Sequence, residues 1–410
     1  MTIEVSGSAA AGSARSRPSR GQGGRAATIL EAAAKLFAAN GYDGTTLADI
    51  AKADGISSAA IYRHYANKEA MLVAMIRGMV TAWESAVVSA AAKAADNPEQ
   101  ALRDLCDASV RVALQYTDVI TVWHVESRGQ LSVPVRQELA ARRSRIVSTW
   151  VNRMAAATPG ISEHEANQRV RLALMVLNGA ARARALPRAV VSEVLYKMML
   201  GFIFAPLSRP GSRSRDVEPL SPALSGTRGS IVSAASFLLA EHGFHSVSMN
   251  DIGAEVGIAG PSIYKHFDSK AAILDEVVGL ASTRMIETAS ATLAFEPESS
   301  QWLLAFVNQF ARWSLDEDPL VTAYMFESNR LEPRAAAAHL KMRKQYNRLW
   351  ITAARARWPQ IDPTAAAVLT LATMEVLFAA PRSEHVEKST AGVANVLALV
   401  WHMLETVGSS

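Results

Sequence analysis

The chain repeats itself, and the repeat limits its architecture more than any other feature. Residues 29–74 align with residues 231–276 at a constant offset of 202 without a gap, and 16 of the 46 aligned positions are identical. The matches cluster: Gly41-Tyr42 with Gly243-Phe244, Ile50 with Ile252, Gly55-Ile56 with Gly257-Ile258, and Ile61-Tyr62-Arg63-His64-Tyr65 with Ile263-Tyr264-Lys265-His266-Phe267. A period this long is the size of a domain and not of a solenoid unit. The chain therefore reads as two fused copies of one protein. Apolar residues recur at three- and four-residue spacing throughout, which predicts an all-α fold. Between the copies, residues 206–226 hold Pro206, Pro210, Pro219 and Pro222 among Ser and Gly, a linker by composition. Fully extended it would reach about 70 Å, enough for the second copy to turn back onto the first.

Composition bears on this reading at three points. Half of the 410 residues are hydrophobic, ample for real cores, and the net charge is only +4. The basic excess is local: Arg15, Arg17, Arg20 and Arg25 stand against Glu4 in the first 25 residues, a Gly/Ser/Ala-rich opening whose residues 1–24 read as a disordered arm, either solubilising or DNA-contacting. The single Cys106 excludes an intrachain disulfide and fits a reducing compartment. No apolar signal region opens the chain, and the longest apolar run, residues 198–207, is about half of what a bilayer requires. The expectation from composition is a soluble, cytoplasmic protein without membrane contact.

The repeated segment has a physical reading of its own. A helix over residues 25–40 would place Ile29, Ala32, Ala33, Leu36 and Phe37 on one face. Gly41 sits where a helix C-cap takes a positive φ. Thr46 offers an N-cap hydroxyl with Asp49 three residues on, and Leu47, Ile50 and Ala51 form the inner face of a short second helix. Gly55 breaks that helix, and a third helix is expected over residues 58–64, with Asn67 capping a fourth. Two short helices joined by a tight Gly turn make a helix-turn-helix. Ile61 faces inward. Ser58, Ala59, Ala60 and Arg63 remain to meet base edges, while Tyr62, His64 and Lys68 are donors placed for phosphates. In the second copy Ser248 and Asp251 take the cap, and Ile252 and Ile263 the core. Gly260, Pro261, Ser262 and Lys265 take the reading positions, and Tyr264, His266 and Lys270 the phosphate positions. Buried positions are kept while the exposed reading positions change.

The run from Gly41-Tyr42 through Thr45-Thr46, Ile50-Ala51, Gly55-Ile56, Ile61-Tyr62-Arg63-His64-Tyr65 and Lys68-Glu69 resembles the DNA-binding domain of TetR/AcrR-type transcriptional regulators, and the second copy resembles it again. The resemblance covers about 46 residues in each half. It implies two TetR-like protomers in tandem, each a three-helix head on a helical effector and dimerisation body: heads at 25–72 and 227–274, bodies at 73–205 and 275–410. It also implies phosphate contacts from Thr46, Tyr62, His64 and Lys68 and from Ser248, Tyr264, His266 and Lys270. Family members are homodimers with a four-helix interface. Here the expected equivalent is a single-chain pseudo-dimer packed through residues 169–205 and 364–407, with further self-association open. Its recognition helices would stand roughly 34–36 Å apart or further on an imperfectly palindromic double-stranded operator.

What the resemblance implies for function is a ligand-responsive repressor without cofactor. An effector-independent activator or architectural protein, and an all-helical enzyme that keeps its helix-turn-helix units, are the alternatives. Trp83, Trp123, Trp150, Met154 and Phe202 in one half, and Trp302, Trp313, Tyr324, Met325 and Trp350 in the other, are candidates to line an apolar effector cavity. Glu126 and Glu327 recur in apolar surroundings, either to bind a polar ligand group or to pair with an arginine. Trp123, Glu126, Tyr324 and Glu327 are thus the ligand candidates. His242 and His245 lack the partners a metal site needs, and no phosphate loop or nucleophile elbow is present.

Overall fold

The computed structural model describes residues 22–94, 96–206, 225–296, 298–315, 319–383, 386 and 390–409. Residues 1–21 of the expected arm, linker residues 207–224 and the Glu126 side chain lie outside the described residues, while arm residues 22–24 are helical and not disordered. Every regular element among the described residues is helical. The first half runs α1 (Gln22–Asn40), α2 (Leu47–Asp54), α3 (Ser58–Ile61), α4 (Lys68–Lys93), α5 (Pro98–Gln115), α6 (Thr117–Gln130), α7 (Val133–Ala157), α8 (Glu163–Met175), α9 (Gly179–Arg182) and α10 (Arg188–Ile203). The second runs α11 (Gly226–His242), α12 (Met249–Glu255), α13 (Gly260–Ile263), α14 (Lys270–Phe295), α15 (Trp302–Leu315), α16 (Pro319–Glu327), α17 (Pro333–Arg357), α18 (Pro363–Ala379) and α19 (Thr390–Gly408).

Local chemistry sets these boundaries. Asn67 and Ser269 cap the long helices α4 and α14 by accepting from Ala70 N and Ala272 N at 2.8 and 3.1 Å. Pro98, Pro333 and Pro363 open their helices at positions where the missing N–H costs nothing. Both α4 and α14 are 26 residues long and run without a break from head to body. The expected head–body boundaries at 72/73 and 274/275 therefore fall inside helices. Within the stretch 169–205 expected to pack between the halves the helix is interrupted: α8 ends at Met175, a 3-10 turn covers Val176–Asn178, and α9 follows.

The two halves meet in a four-helix seam. Helix α10 packs along α19 and α18, and α18 also touches α8, the following 3-10 turn and α9. Met198, Met199 and Phe202 on one side and Val400, Met403 and Leu404 on the other are completely buried. Burial of each such side chain is worth about 1.5–3 kcal/mol. Glycine lets the backbones approach: a Cβ at Gly201 would lie 2.8 Å from Met403 Cα, and one at Gly179 would lie 2.5 Å from Ala372 Cβ. An ion pair crosses the seam from Arg182 Nε to Glu375 Oε1 at 2.6 Å, with Glu375 buried. The seam is not evenly shared, for α19 leans more on α10 than on its own α15 and α18.

The hydrophobic interior divides unevenly. The first head, the start of α4 and part of α6 share one core, containing Ile29, Phe37, Ile50, Ile61, Leu72, Met79 and Val122. The first body, the second head and the second body form one continuous core. By length and composition α4 and the stretch Pro363–Arg382 are apolar enough to cross a membrane. This revises the expectation built on the run at 198–207. The 67% burial of the apolar window in Pro363–Arg382 places it in the interior of the fold, against α10, α15 and α17.

Candidate nucleic-acid interface

The two heads are built by the same local devices. Thr46 Oγ1 accepts from Asp49 N at 3.1 Å, and the Asp49 carboxylate accepts from Thr46 N at 2.9 Å, closing a capping box. Ser248 and Asp251 repeat it at 3.1 and 2.8 Å. The hydroxyls also donate to these carboxylates, at 2.6 and 2.7 Å, and this bonding holds both acids below the usual carboxylate range. Gly41 and Gly55 adopt φ of 77° and 68°, Gly243 and Gly257 φ of 77° and 69°, a region that side chains rarely enter. The turn after Gly55 is closed by Ile56 N donating to Ala51 O at 2.9 Å, matched by Ile258 N to Gly253 O at 2.9 Å.

The recognition segments are shorter as helices than the spacing predicts. α3 spans only Ser58–Ile61, and residues 62–64 continue as a hydrogen-bonded turn in which both His64 N and Tyr65 N donate to Ile61 O at 2.9 Å. α13 is likewise four residues, with His266 N and Phe267 N bonded to Ile263 O. Ile61 and Ile263 are fully buried and anchor each segment to its head. Tyr62 and Tyr264 stand 60% and 54% exposed, unusual for tyrosine and suited to an external partner. Ala59, Arg63, Pro261 and Lys265 are exposed; Ser58, Ala60, Ser262, His64 and His266 are half-buried. Thr46 and Ser248 are exposed, with their hydroxyls already occupied by the capping box.

Lys68 and Lys270 require a correction. Lys68 Nζ donates to Tyr42 O at 2.6 Å and Thr45 O at 3.1 Å, and lies 4.2 Å from the centre of the Tyr42 ring. Lys270 Nζ donates to Phe244 O and Val247 O and lies 4.3 Å from the centre of the Phe244 ring. Two of the three ammonium donors are thus spent on backbone carbonyls of the α1–α2 or α11–α12 turn. The lysine staples the head from inside and is not laid out toward solvent for a phosphate. The signal was present in the sequence as a Lys–aromatic pair kept in both copies.

The heads also touch each other. Asp43 Oδ2 in the α1–α2 turn accepts from Arg330 Nη1 at 3.0 Å and pairs with His245 Nε2 in the α11–α12 turn at 2.7 Å. Arg330 Nε in turn pairs with Glu327 at 2.8 Å. Glu327 is buried and holds an arginine, one of the two roles expected for it, and it lines neither of the cavities described below. Asp43 and His245 occupy equivalent positions in the repeat, so equivalent turns of the two heads meet.

Of the ligand candidates, Trp83 and Trp123 line a cavity of about 320 Å³ in the first body, and Tyr324 and Met325 line one of about 390 Å³ in the second. Trp150, Met154, Phe202, Trp313 and Trp350 are core side chains, close to fully buried.

Two helix-turn-helix heads with exposed recognition segments are thus borne on helical bodies joined through a four-helix seam. The family model described as bacterial regulatory proteins, tetR family, matches twice, over residues 29–75 and 231–277, so the chain carries two tetR-type segments in tandem. The transcriptional repressor KstR2 of Mycobacterium tuberculosis is 30% identical over 128 residues, covering 31% of this chain and 64% of the relative's length. The biofilm operon regulator IcaR of Staphylococcus epidermidis is 54% identical over 41 residues, 10% of this chain and 22% of that protein. Among solved structures, PfmR of Thermus thermophilus is 26% identical with a TM-score of 0.38, covering 44% of this chain and 96% of that one.

Proposed function

We propose that the chain is a sequence-specific repressor that reads an imperfectly palindromic operator with two unlike heads and releases it when a small molecule fills a helical body. The observation that carries this reading is the pattern of retention. Ile50, Ile61 and the glycine turns persist as Ile252, Ile263 and the same turns, while Ser58-Ala59-Ala60-Arg63 becomes Gly260-Pro261-Ser262-Lys265. The first set offers hydroxyl and guanidinium donors to base edges. The second offers an apolar surface suited to a thymine methyl, with one ammonium. Two half-sites of different sequence follow. KstR2 and IcaR are repressors by name, which favours repression for this chain as well. Tyr62, His64, Tyr264 and His266 are assigned to phosphates, whereas the hydroxyls of Thr46 and Ser248, first expected there, donate within the capping boxes. The solvent-facing side of each head is free of the seam, consistent with operator double-stranded DNA as the partner.

Selection of binding sites from a random duplex pool with the full chain tests this. The expected site has two half-sites of different sequence in register with successive major grooves. Arg63→Ala should relax preference in one half-site only, by about 1–3 kcal/mol, and Lys265→Ala in the other. A perfect palindrome, or equal loss in both half-sites from either substitution, contradicts the reading.

A further inference from the structure

The second cavity lies between the halves. Phe310, Met325 and Leu371 of the second body line it, together with Arg182 of the first body and Ala38 and Ala39 at the end of α1. Its charges do not balance. Among the described residues of the wall, Arg182, Arg184, Arg343 and Lys344 stand against a single carboxylate, Glu375. Arg182 takes that carboxylate at 2.6 Å. Arg184 and Lys344 are exposed, Arg184 with one long contact from Nη1 to Ala38 O at 3.4 Å. Cations at the surface are solvated and need no partner.

Arg343 is in a different position. It is half-buried on α17, with no ion pair and no hydrogen bond among the described residues. Burial lowers its pKa, and Arg182 and Arg184 add to that effect. A guanidinium drawn out of water among other cations is costly unless a negative group meets it. Tyr324 on α16 is equally unsatisfied. It is only 7% exposed, yet its hydroxyl bonds to nothing among the described residues, whereas buried hydroxyls are ordinarily paired. Its phenol lies within electrostatic reach of Arg182, Arg343 and Glu375, all in the same wall. Burial raises its pKa, so it remains a neutral donor. A planar fork of N–H donors and one O–H donor thus adjoin the same space, beside an apolar surface.

Resting on the effector reading above, we propose that the second cavity binds a compact acid, a carboxylate or phosphate on a short apolar body, with Arg343 pairing the anion and the Tyr324 hydroxyl donating to it. The fork of Arg343 matches either oxyanion, and the further charges of Arg184 and Lys344 favour the doubly charged phosphate. A volume of about 390 Å³ suits a ligand of modest size. The site belongs to both halves. Its anion-binding groups come from the second body, while Ala38 and Ala39 bring the end of the first head's α1 into the wall. A ligand held by the second body is therefore placed to act on the head of the first, to the extent that it binds one position of that head more tightly than another.

The test titrates the full chain by calorimetry with hexyl phosphate, hexanoate, hexanol and hexylammonium. Hexyl phosphate should bind at one site, about tenfold or more tighter than hexanol, with hexanoate between them and no binding of hexylammonium. Y324F keeps the ring and removes the donor, and should weaken hexyl phosphate by about threefold to tenfold. R343M should erase the difference between hexyl phosphate and hexanol. It should also leave the unfolding midpoint of the ligand-free chain unchanged or higher, since an apolar side chain replaces an unpaired cation. Helices α7 and α17 are both 25 residues long and begin at 133 and 333, which makes Arg143, in the wall of the first cavity, the counterpart of Arg343. R143M should therefore leave the anion preference intact. Equal affinity for hexyl phosphate and hexanol overturns the proposal, and so does a preference that survives R343M or disappears in R143M. A lowered midpoint in R343M makes Arg343 a structural cation and overturns it as well. Hexyl phosphate bound as described, with operator affinity unmoved, sinks the reading of ligand release and leaves the site standing.

Discussion

The seam between the halves offers a sharp perturbation, because two of its glycines are required and two others along the chain are not. An alanine Cβ at 179 would lie 2.5 Å from Ala372 Cβ and 3.0 Å from its Cα; at 201 it would lie 2.8 Å from Met403 Cα. Carbon atoms in contact prefer roughly 3.5–4.0 Å, so each substitution forces a helix backbone to move by about 1 Å. Rotation of a side chain does not relieve it. Overpacking of this kind costs about 1–3 kcal/mol per site. Gly78 in α4 and Gly279 in α14 provide the control, since a Cβ there meets nothing within 4 Å. Alanine at those positions should stabilise by about 0.5–1 kcal/mol, by removing the entropic cost of a mid-helix glycine. The four variants, unfolded in urea and followed by circular dichroism, should therefore split in sign: Gly179→Ala and Gly201→Ala lower the midpoint, Gly78→Ala and Gly279→Ala raise it. Seam variants as stable as the controls would mean that the halves do not pack through these helices, and the single-chain pseudo-dimer would fall with them.

Further outcomes follow from single groups. Ile61→Ala and Ile263→Ala remove fully buried anchors of the recognition segments and should each cost about 2–5 kcal/mol in the head concerned, seen as lost amide protection confined to that head. Lys68→Met should destabilise the first head by about 1–3 kcal/mol through the loss of two charge-assisted hydrogen bonds to turn carbonyls while leaving the salt dependence of operator binding unchanged; a salt slope reduced by about one with the head unharmed would restore Lys68 as a phosphate contact. His339 is buried beside Ser282, and burial, with Arg343 and Arg182 adding to it, lowers its pKa from 6.5 to about 4. The folded state thus holds a neutral imidazole. Its contribution is complete above pH 6.5 and is lost as pH falls toward 4, by up to about 3 kcal/mol. His339→Gln should flatten that part of the stability profile, and an unchanged profile would refute the assignment.

How much of this was legible in the sequence depends on distance along the chain. The heads were legible almost residue by residue, because caps, glycine turns and the buried isoleucines are local devices repeated twice. The seam helices were legible in outline from their apolar runs, although the interruption of α8 by a 3-10 turn leaves no local mark stronger than Gly179 itself. What the sequence hid are the groups whose partners lie far off. Lys68 reads as an exposed cation until the Tyr42 and Thr45 carbonyls, 26 and 23 positions away, are brought beneath it. Arg382 reads as a helix-end arginine until the seam delivers it to the other half's cavity. Trp150 and Trp350 pass for cavity walls in composition and are core in fact, since nothing local separates an aromatic that fills space from one that lines it.

The central claim is that one chain supplies both readers of one operator. The mass of the complex on a duplex carrying the selected site, by native mass spectrometry, tests it directly. One chain of 44.0 kDa per duplex is the predicted result, unchanged as protein is raised severalfold above saturation. Two chains per duplex at every occupancy, with no one-chain species, would contradict it.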